Sequence, residues 1–315
     1  MNKEFFMDYY NIFSEYDYFS VNVSEYDSSK EFVVTRPASM NNPKDHSVMF
    51  IQKKYLSNAC KFAAVFDCLI FWPDGIEVPG DISSKHAVWF CKDPHIEFCR
   101  FFKDHGITNY IQPGEIVERD HYITCGNVEI GEGTKVFPYV YINGNVTIGK
   151  NCYIGAGTKI IGNVYIGDDV LIRENTVIGA DGLTTDRNEN GEAVTMPQFG
   201  GVIIEDNVQI GACAIIERGA IDNTVIKSGC KLDNACFVAH NNIIGNNVFM
   251  VGESSTFGSV TIGDNTLISG NASIRQGLSV GRNCIVGVGS IVTRSVKDET
   301  TVMGNPAKAI FSPGS

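Results

Sequence analysis

Aliphatic side chains return at every sixth position of this chain from Ile130 onward. Two residues before them stands a side chain that is mostly small or β-branched, as at Val128, Thr134 and Val146. Residues two apart on a strand share a face, so each unit predicts one short strand with two inward side chains, followed by a turn. The first unbroken series comprises Ile130, Val136, Ile142, Ile148, Ile154, Ile160, Ile166, Ile172 and Ile178.

Two interruptions divide this repeat. Residues 180–200 are polar and rich in glycine and asparagine, which predicts a loop. The series resumes at Ile204, slips by ten residues between Ile216 and Ile226, and then continues to Val292. Three units make one triangular coil, so the pattern predicts a solenoid of about eight coils.

The sequence before the repeat has a different pattern. Apolar runs at Ala63–Trp72 and His86–Phe90 predict buried strands, and IEFCRFF at Ile96–Phe102 predicts a helix. The expected fold class is therefore mainly β, a parallel β-helix preceded by a small α/β domain. The predicted boundaries are 1–115 for the small domain, 116–300 for the β-helix with its loop at 180–200, and 301–315 for a short C-terminal tail.

Composition narrows the classes of function. The net charge of −11 argues against a nucleic-acid partner, which requires clustered Lys and Arg. No apolar run approaches the roughly 20 residues that span a membrane. The N-terminus lacks the basic and apolar regions of a signal peptide, so we expect a cytoplasmic protein. The ten cysteines contain no C-x-x-C pair, and we expect no disulfides, no metal site and no permanently bound cofactor.

A single histidine, His240, lies inside the coils. It follows inward Val238 by two residues and so falls near a corner, where its side chain can project outward. A lone surface histidine is usually only solvated. Residues 18 apart stack on successive coils, however, which would place Asp222 below His240 and Gly258, then Gln276, above it.

This column suits acyl transfer from a thioester to an amine. A neutral imidazole at His240 can take the proton that the amine loses. The carboxylate of Asp222 or of Asp233 would orient the ring, and the Gly258 N–H would stabilise the oxyanion. Cys236, four residues earlier, would allow a Cys–His nucleophile, but it occupies an inward position.

Other interpretations of the coils remain open. Asn242 is polar at an inward position, where it would serve either as a buried hydrogen-bonding support for the site or as a filler of the asparagine-ladder type. A purely structural solenoid is the alternative from another class of function. A γ-class carbonic anhydrase has the same repeat but needs three zinc-binding histidines, and the coils contain one.

Four segments of the coils carry a family resemblance: GADG (179–182), PQFGGVII (197–204), IGACAIIERGAIDNTVI (210–226) and LDNACFVAHNNIIG (232–245). They resemble the UDP-3-O-acylglucosamine N-acyltransferases of lipid A synthesis. The resemblance implies a left-handed β-helix, a homotrimer with active sites between the prisms, His240 as the catalytic base, and the Gly258 amide as the oxyanion donor.

The resemblance extends into the N-terminal part through ASM (38–40), MFIQKKY (49–55) and CKDPHIEFCRFF (91–102). These segments look like the uridine-binding domain of that family. The resemblance implies that Phe50, Gln52 and Tyr55 contact the nucleotide, whereas the alternative is that they are core residues of a small domain.

The chain also departs from the family. The second histidine of the family is replaced by Gly277, next to Arg275 and Gln276. The family ends in long helices that dock acyl carrier protein, whereas VMGNPAKAI (302–310) resembles the close of acetyl-CoA-dependent sugar acetyltransferases. That likeness implies that Lys308 meets a CoA phosphate, whereas the alternative is a solvated terminal lysine.

Together these features predict an N-acyltransferase that uses a short acyl-CoA and a nucleotide-linked amino sugar, with UDP as the expected nucleotide. We expect Asn242 and Gln276 to contact the sugar substrate, and Arg275 and Lys308 to contact the donor. The alternative is a lipid A enzyme that uses acyl carrier protein.

Overall fold

The computed structural model describes residues 17–107 and 116–312. Within these residues the chain forms two compact units. The first contains residues up to 107 together with 183–199, and the second contains the rest. The N-terminal residues 1–16, the predicted boundary after residue 115 and the last three residues of the predicted tail lie outside the described part.

The first unit is built on a four-stranded parallel sheet. Its strands are adjacent in chain order: Arg36–Pro37, Ser47–Phe50, Leu69–Pro73 and Ala87–Cys91. All five residues of Leu69–Pro73 are buried, as the apolar run predicts. The unit also has a short antiparallel pair and four helices. These are Val21–Asn22 with Val33–Val34, the 3-10 helices Val23–Glu25 and Lys53–Ala64, and the α-helices Gly80–Ser83 and Pro94–Asp104.

The helix Pro94–Asp104 confirms the prediction from IEFCRFF. Asp93 caps its N-terminus by accepting hydrogen bonds from the N–H groups of His95 and Ile96, and proline stands in its first turn. Its buried face is apolar and comprises Pro94, Ile96, Phe98, Cys99, Phe101 and Phe102.

The loop predicted at 180–200 contains a β-hairpin, Thr185–Arg187 paired antiparallel with Ala193–Thr195. Two ion pairs join this hairpin to the helix Pro94–Asp104. His95 Nδ1 lies 3.0 Å from Asp186 Oδ2, and Arg100 Nη2 lies 2.6 Å from Glu189 Oε2. We assigned this loop to the β-helix domain, but residues 183–199 pack with the first unit.

The second unit is a parallel β-helix with three faces. Strand Ile116–Arg119 pairs antiparallel with the first long strand. Three long strands belong to both the first and the second face: Tyr122–Ile130, Tyr141–Ile148 and Lys159–Ile166. The first face continues with Val177–Ala180, Ile215–Glu217, Phe237–Val238, Ser255–Thr256, Ser273–Ile274 and Ile291–Val292. The second continues with Val202–Ile204, Thr224–Ile226, Ile243–Ile244, Thr261–Ile262 and Ser279–Val280.

The third face ends the described chain. A final strand, Lys308–Phe311, pairs antiparallel with the last parallel strand. The parallel strands of this face are Lys135–Val136, Tyr153–Ile154, Leu171–Ile172, Gln209–Ile210, Lys231–Leu232, Phe249–Met250, Leu267–Ile268, Ile285–Val286 and Thr301–Met303.

The repeat positions form the core of this unit. From Ile142 onward their aliphatic side chains are buried in one continuous cluster, against which Ile130 and Val136 are partly buried, and even the polar Thr256 is fully buried. The inward cysteines are Cys152, Cys230, Cys236 and Cys284, and all four are buried and free. They fill space as small apolar side chains, which agrees with their predicted slot.

Two searches of the described residues returned nothing. No group of His, Cys, Asp and Glu side chains within 17–107 and 116–312 is arranged to hold a metal ion. In the same residues no helix is long and apolar enough to cross a membrane.

One edge of the β-helix is irregular. We call the turns that join the first face to the second the site corner. In the first coils the chain crosses it as continuous strand, with Asn145 Nδ2 donating to Asn163 Oδ1 over 3.1 Å. The excursion at 180–200, the slip after Ile216 and the turn that holds His240 all fall at this same corner on the following coils.

Candidate active site

The His240 imidazole lies against Gly258, one coil further along the site corner. A Cβ atom on Gly258 would stand 2.5 Å from His240 Nε2, so the ring occupies space that only glycine leaves free. The Gly258 N–H has no hydrogen-bond acceptor among the described residues, although Gly258 is buried. A buried, unpaired N–H costs free energy, so such a group marks a place where a ligand oxygen can bind.

Asn241 holds the other side of the ring. Its Oδ1 lies 2.9 Å from His240 Nδ1 and also accepts from the Ala220 N–H over 3.0 Å. Its Nδ2 donates to the Asp222 carbonyl over 2.9 Å. These two main-chain contacts fix the orientation of the amide, because the reverse orientation would set donor against donor. His240 Nδ1 therefore carries the proton and donates to Asn241, and Nε2 keeps a lone pair.

Glu217 is a site residue that the sequence analysis missed. Its Oε2 accepts from the main-chain N–H of His240 over 3.0 Å. Burial raises the pKa of this half-buried carboxyl group, and the hydrogen bond from His240 opposes that rise. A carboxylate thus lies beside the candidate base.

The slip explains why Glu217 was missed. Ile216 pairs with Val238, so this coil is 22 residues long and not 18. Counting back 18 from His240 reaches Asp222, whereas the sheet register places Arg218 at the stacked position. Sequence spacing did indicate that this coil is longer, because the aliphatic positions on either side of the slip are more than six residues apart.

The start of the excursion covers the imidazole. A Cβ atom on Gly182 would lie 2.9 Å from both Cβ and Cδ2 of His240, and 2.9 Å from Glu217 Oε2. The preceding Asp181 forms an ion pair with buried Arg218. The segment that leaves the β-helix is therefore held at the site corner by the residues next to and beneath His240.

The two predicted orienting carboxylates differ in position. Asp222 reaches the site through its main-chain carbonyl, which accepts from Asn241. Asp233 follows Leu232 of the third face and so lies at a different corner, where its carboxylate accepts from the Gly252 N–H over 3.2 Å. The structure places Asn241, not Asp233, at the imidazole Nδ1.

Two further predictions concern inward residues. Asn242 is fully buried, and its Nδ2 donates to the carbonyls of Ala239 and Phe257 over 2.6 and 3.1 Å. The predicted substrate contact of Asn242 is therefore wrong, because a fully buried side chain supports the turn and does not face a ligand. Cys236 is also buried, and burial raises the pKa of its thiol, which argues against a nucleophile.

The remaining predicted residues of the β-helix occupy two places. Arg275 and Gln276 are exposed at the site corner, one coil beyond Gly258, where the Gly277 N–H donates to the Gly258 carbonyl over 2.9 Å. Lys308 is exposed in the terminal strand of the third-face sheet. One copy of the chain therefore brings Arg275 and Gln276 to the His240 corner, but not Lys308.

In the first unit, Phe50, Gln52 and Tyr55 lie at the carboxyl end of one sheet strand. The Phe50 ring packs 5.1 Å from His95 and 4.9 Å from Phe98, measured between centroids. Gln52 precedes the 3-10 helix, and Tyr55 is 44% exposed. Ligands of parallel sheets bind outside the carboxyl ends of strands, so the position suits the predicted nucleotide contact, which stays a prediction.

Models of known families match the coils. The bacterial transferase hexapeptide repeat matches residues 127–162 and 149–180, and the hexapeptide repeat of succinyl-transferase matches residues 259–294. These matches lie within the coils and cover less than half of the chain. The repeat predicted from the six-residue spacing is therefore confirmed.

Curated relatives match a part of this hexapeptide-repeat chain. The UDP-3-O-acylglucosamine N-acyltransferase of Francisella tularensis subsp. holarctica is 47% identical over 72 residues, which are 23% of this chain and 21% of that protein. The enzyme of the same name from Coxiella burnetii is 48% identical over 80 residues, 25% of this chain and 23% of that protein. The predicted resemblance is confirmed, and the match spans less than a quarter of each relative.

Solved structures share the fold. The UDP-N-acetylglucosamine acyltransferase of Francisella novicida aligns with a TM-score of 0.55 and 23% identity, covering 61% of this chain and 68% of that one. The enzyme from Bacteroides fragilis gives a TM-score of 0.55 and 24% identity, covering 61% and 73%. At this identity the likeness shows the fold alone, and it confirms the left-handed parallel β-helix.

Proposed function

We propose that the protein is an acyltransferase that moves an acyl group from a thioester to the amine of a UDP-linked amino sugar. One observation carries the proposal. His240 presents an unprotonated Nε2 beside the open N–H of Gly258, because Asn241 holds the proton on Nδ1. A base and an oxyanion donor thus lie side by side at an otherwise regular coil.

These groups suffice for direct transfer. The amine nitrogen attacks the thioester carbon, and His240 Nε2 takes the proton that the nitrogen loses. The carbonyl oxygen becomes an oxyanion that accepts from the Gly258 N–H. The intermediate then expels the thiolate, which recovers the proton from the imidazolium, so the products are an amide and a free thiol. A general base contributes roughly 10²–10⁴-fold and one oxyanion donor about 10²–10³-fold.

The acceptor is proposed from two supports. The curated relatives are named for UDP-3-O-acylglucosamine. In the first unit, Phe50 and half-exposed Tyr55 supply aromatic surface at the carboxyl end of a strand, next to Gln52. Aromatic rings bind the flat face of a base, and an amide reads its polar edge.

The donor is proposed to be a short acyl-CoA. Arg275 is exposed one coil beyond Gly258, where a guanidinium can pair with a phosphate, and Gln276 beside it can contact the substrate. Lys308 would join this donor site from a neighbouring copy in the proposed homotrimer. Acyl carrier protein is the alternative donor, and a cytoplasmic location also stays a prediction.

The test is a thiol-release assay with a panel of acyl-CoA and acyl carrier protein donors against UDP-amino sugars. We expect the short acyl-CoA to be the best donor and His240→Ala to lower kcat/KM by about 10² or more. The control is His46→Asn, an exposed histidine in a left-handed turn that asparagine tolerates. A structural solenoid would release no thiol from any pair, and unchanged activity in His240→Ala would remove the proposed base.

A further inference from the structure

Glu217 binds the main chain of the candidate base. Its Oε2 accepts from the main-chain N–H of His240 over 3.0 Å. Other corner turns of this helix hold a main-chain N–H in the same way, as Asp264 Oδ1 holds that of Asn246 over 2.7 Å. A carboxylate forms a stronger, charge-assisted hydrogen bond than a carbonyl does.

The contact makes two stacked main-chain N–H groups differ in their hydrogen bonding. Residues 240 and 258 occupy equivalent positions on successive coils, since Val238 pairs with Thr256. Glu217 occupies the N–H of His240, whereas the N–H of Gly258 has no acceptor among the described residues. Its negative charge also disfavours an oxyanion on that side, which leaves Gly258 as the donor beside Nε2.

The same carboxylate is near the imidazole itself. Glu217 Oε2 and His240 Cδ2 each lie 2.9 Å from the point where a Cβ of Gly182 would stand. The two atoms are therefore within about 6 Å of each other, so the carboxylate that binds the main chain of His240 also lies near its ring.

Three other charged side chains flank this pair. Asp181, from the start of the excursion, is neutralised by its ion pair with Arg218, which the sheet register places beneath His240. Arg275 follows on the coil beyond Gly258 and is exposed to solvent. Glu217 is thus the carboxylate that contacts His240, and the other negative charge has its own cation.

We propose that Glu217 is a positioning residue for the general base. It fixes the main chain of His240 and thereby the place of the imidazole beside Gly258. This inference rests on the proposed function of His240.

The chain offers a matched control. Glu205 Oε2 accepts from the Ser228 N–H over 2.9 Å, so it also binds a main-chain N–H 23 residues later, but away from His240. Glu217→Gln keeps an acceptor and removes the charge, and Glu217→Ala removes both. Glu205 Oε2 accepts from the Ser228 hydroxyl as well, over 2.9 Å, so the same two changes at Glu205 report the loss of corner hydrogen bonds that do not involve His240.

Two measurements test the proposal. The first is the kcat and KM of each variant. For Glu217→Ala we expect kcat to fall about tenfold or more with little change in KM, because the base is misplaced and binding is not. Glu217→Gln keeps an acceptor for the His240 N–H and should recover part of this loss. The Glu205 variants should change neither kcat nor KM.

The second is the NMR signal of the His240 ring in protein with labelled histidine, assigned with His240→Ala. The signal should move in Glu217→Ala and stay near its parental position in Glu205→Ala, because Glu217 binds the main chain of His240 and Glu205 does not. An unmoved signal, or a loss of kcat in Glu217→Ala no larger than in Glu205→Ala, would overturn the positioning role. Full activity in His240→Ala would instead overturn the proposed function, and the NMR signal would still report on the contact.

Discussion

The Oδ1 of Asn241 lies 2.9 Å from Nδ1 of His240 and accepts its proton, which leaves Nε2 as the basic nitrogen. The asparagine is held in turn by the Ala220 N–H and the Asp222 carbonyl at the slip. The lengthened coil thus supplies the groups that orient the amide, and the amide orients the base. The irregular turn is the reason that a histidine at this corner differs from a solvated one.

Removing the Asn241 side chain should lower activity without unfolding the protein. Asn241 has a φ of 59°, which glycine adopts without strain, so Asn241→Gly removes the side-chain amide and its contacts with His240, Ala220 and Asp222 without straining the turn. We expect kcat/KM to fall roughly 10- to 100-fold, because the imidazole loses the contact that selects its tautomer. Asn241→Asp should retain more activity than Asn241→Gly.

The control for this change is Asn265→Gly. Asn265 has a φ of 58° at another corner of the β-helix. Thermal unfolding and kcat/KM should be near the parent values in this variant. Equal losses of activity at 241 and 265 would mean that the effect comes from the turn and not from the imidazole.

A methyl group on Gly258 should displace the base. In Gly258→Ala the added Cβ would stand 2.5 Å from His240 Nε2, closer than any real contact, so the ring must move. We expect a loss of about 10² or more in kcat with a folded β-helix, since a small displacement of a reacting group is costly.

Gly270→Ala is the matched substitution. Gly270 occupies the same position in its hexapeptide unit. Apart from the two adjacent residues, the atom nearest to the added Cβ would be the Gly252 carbonyl oxygen at 3.4 Å. Its activity should be close to that of the parent protein. If circular dichroism shows that both variants are folded and the assay finds them equally active, the reaction does not depend on the contact between the imidazole and Gly258.

The relation between His240 and Gly258 was predictable from spacing, whereas the rest of the site was not. Val238 and Thr256 are 18 residues apart, so counting places Gly258 correctly. Ile216 and Val238 are 22 residues apart, and the same count fails below His240. Local sequence does not predict the number of residues in a lengthened coil, because the hydrogen bonds of the extra turn determine that number.

The excursion shows a second limit. Its composition predicts a loop, and the hairpin within it has no strong apolar alternation to announce strands. Its association with the first unit depends on ion pairs between residues about 90 positions apart, such as His95 with Asp186. Sequence pattern reports what each segment prefers locally, but it does not report which distant charges meet.

The hairpin should therefore be released by removing the two carboxylates that contact the helix Pro94–Asp104. Asp186→Ala with Glu189→Ala deletes the partners of His95 and Arg100. We expect faster tryptic cleavage after exposed Arg187, because the strand is no longer held to the helix. High salt should accelerate cleavage of the parent protein in the same direction, since exposed ion pairs are screened.

Glu192→Ala provides the comparison. Glu192 lies in the same hairpin and accepts from Asn188 Nδ2 within it, over 2.8 Å. Its cleavage rate after Arg187 should stay close to that of the parent. A double variant that is cleaved no faster than Glu192→Ala would show that the ion pairs do not hold the hairpin.

His86 should make the first unit less stable as the pH falls. The fully buried ring accepts from the Cys68 N–H at Nδ1 over 3.2 Å, so Nε2 carries the proton and donates to the Phe62 carbonyl over 3.1 Å. Burial lowers the pKa of His86 below its ordinary 6.5. The unfolded chain then binds more protons below pH 6.5, and the free energy of unfolding decreases by up to about 1.4 kcal/mol per pH unit until the folded pKa is reached.

Urea unfolding at pH 7.5 and 5.5 tests this dependence. The fluorescence of Trp72 and Trp89 reports on the first unit alone, because the chain has no other tryptophan. His86→Gln should be less stable at pH 7.5 and should lose less stability between the two pH values than the parent. His46→Asn, at an exposed site, should keep the parental pH dependence. An unchanged slope in His86→Gln would assign the acid sensitivity to other groups, because glutamine cannot bind the proton that the unfolded histidine takes up.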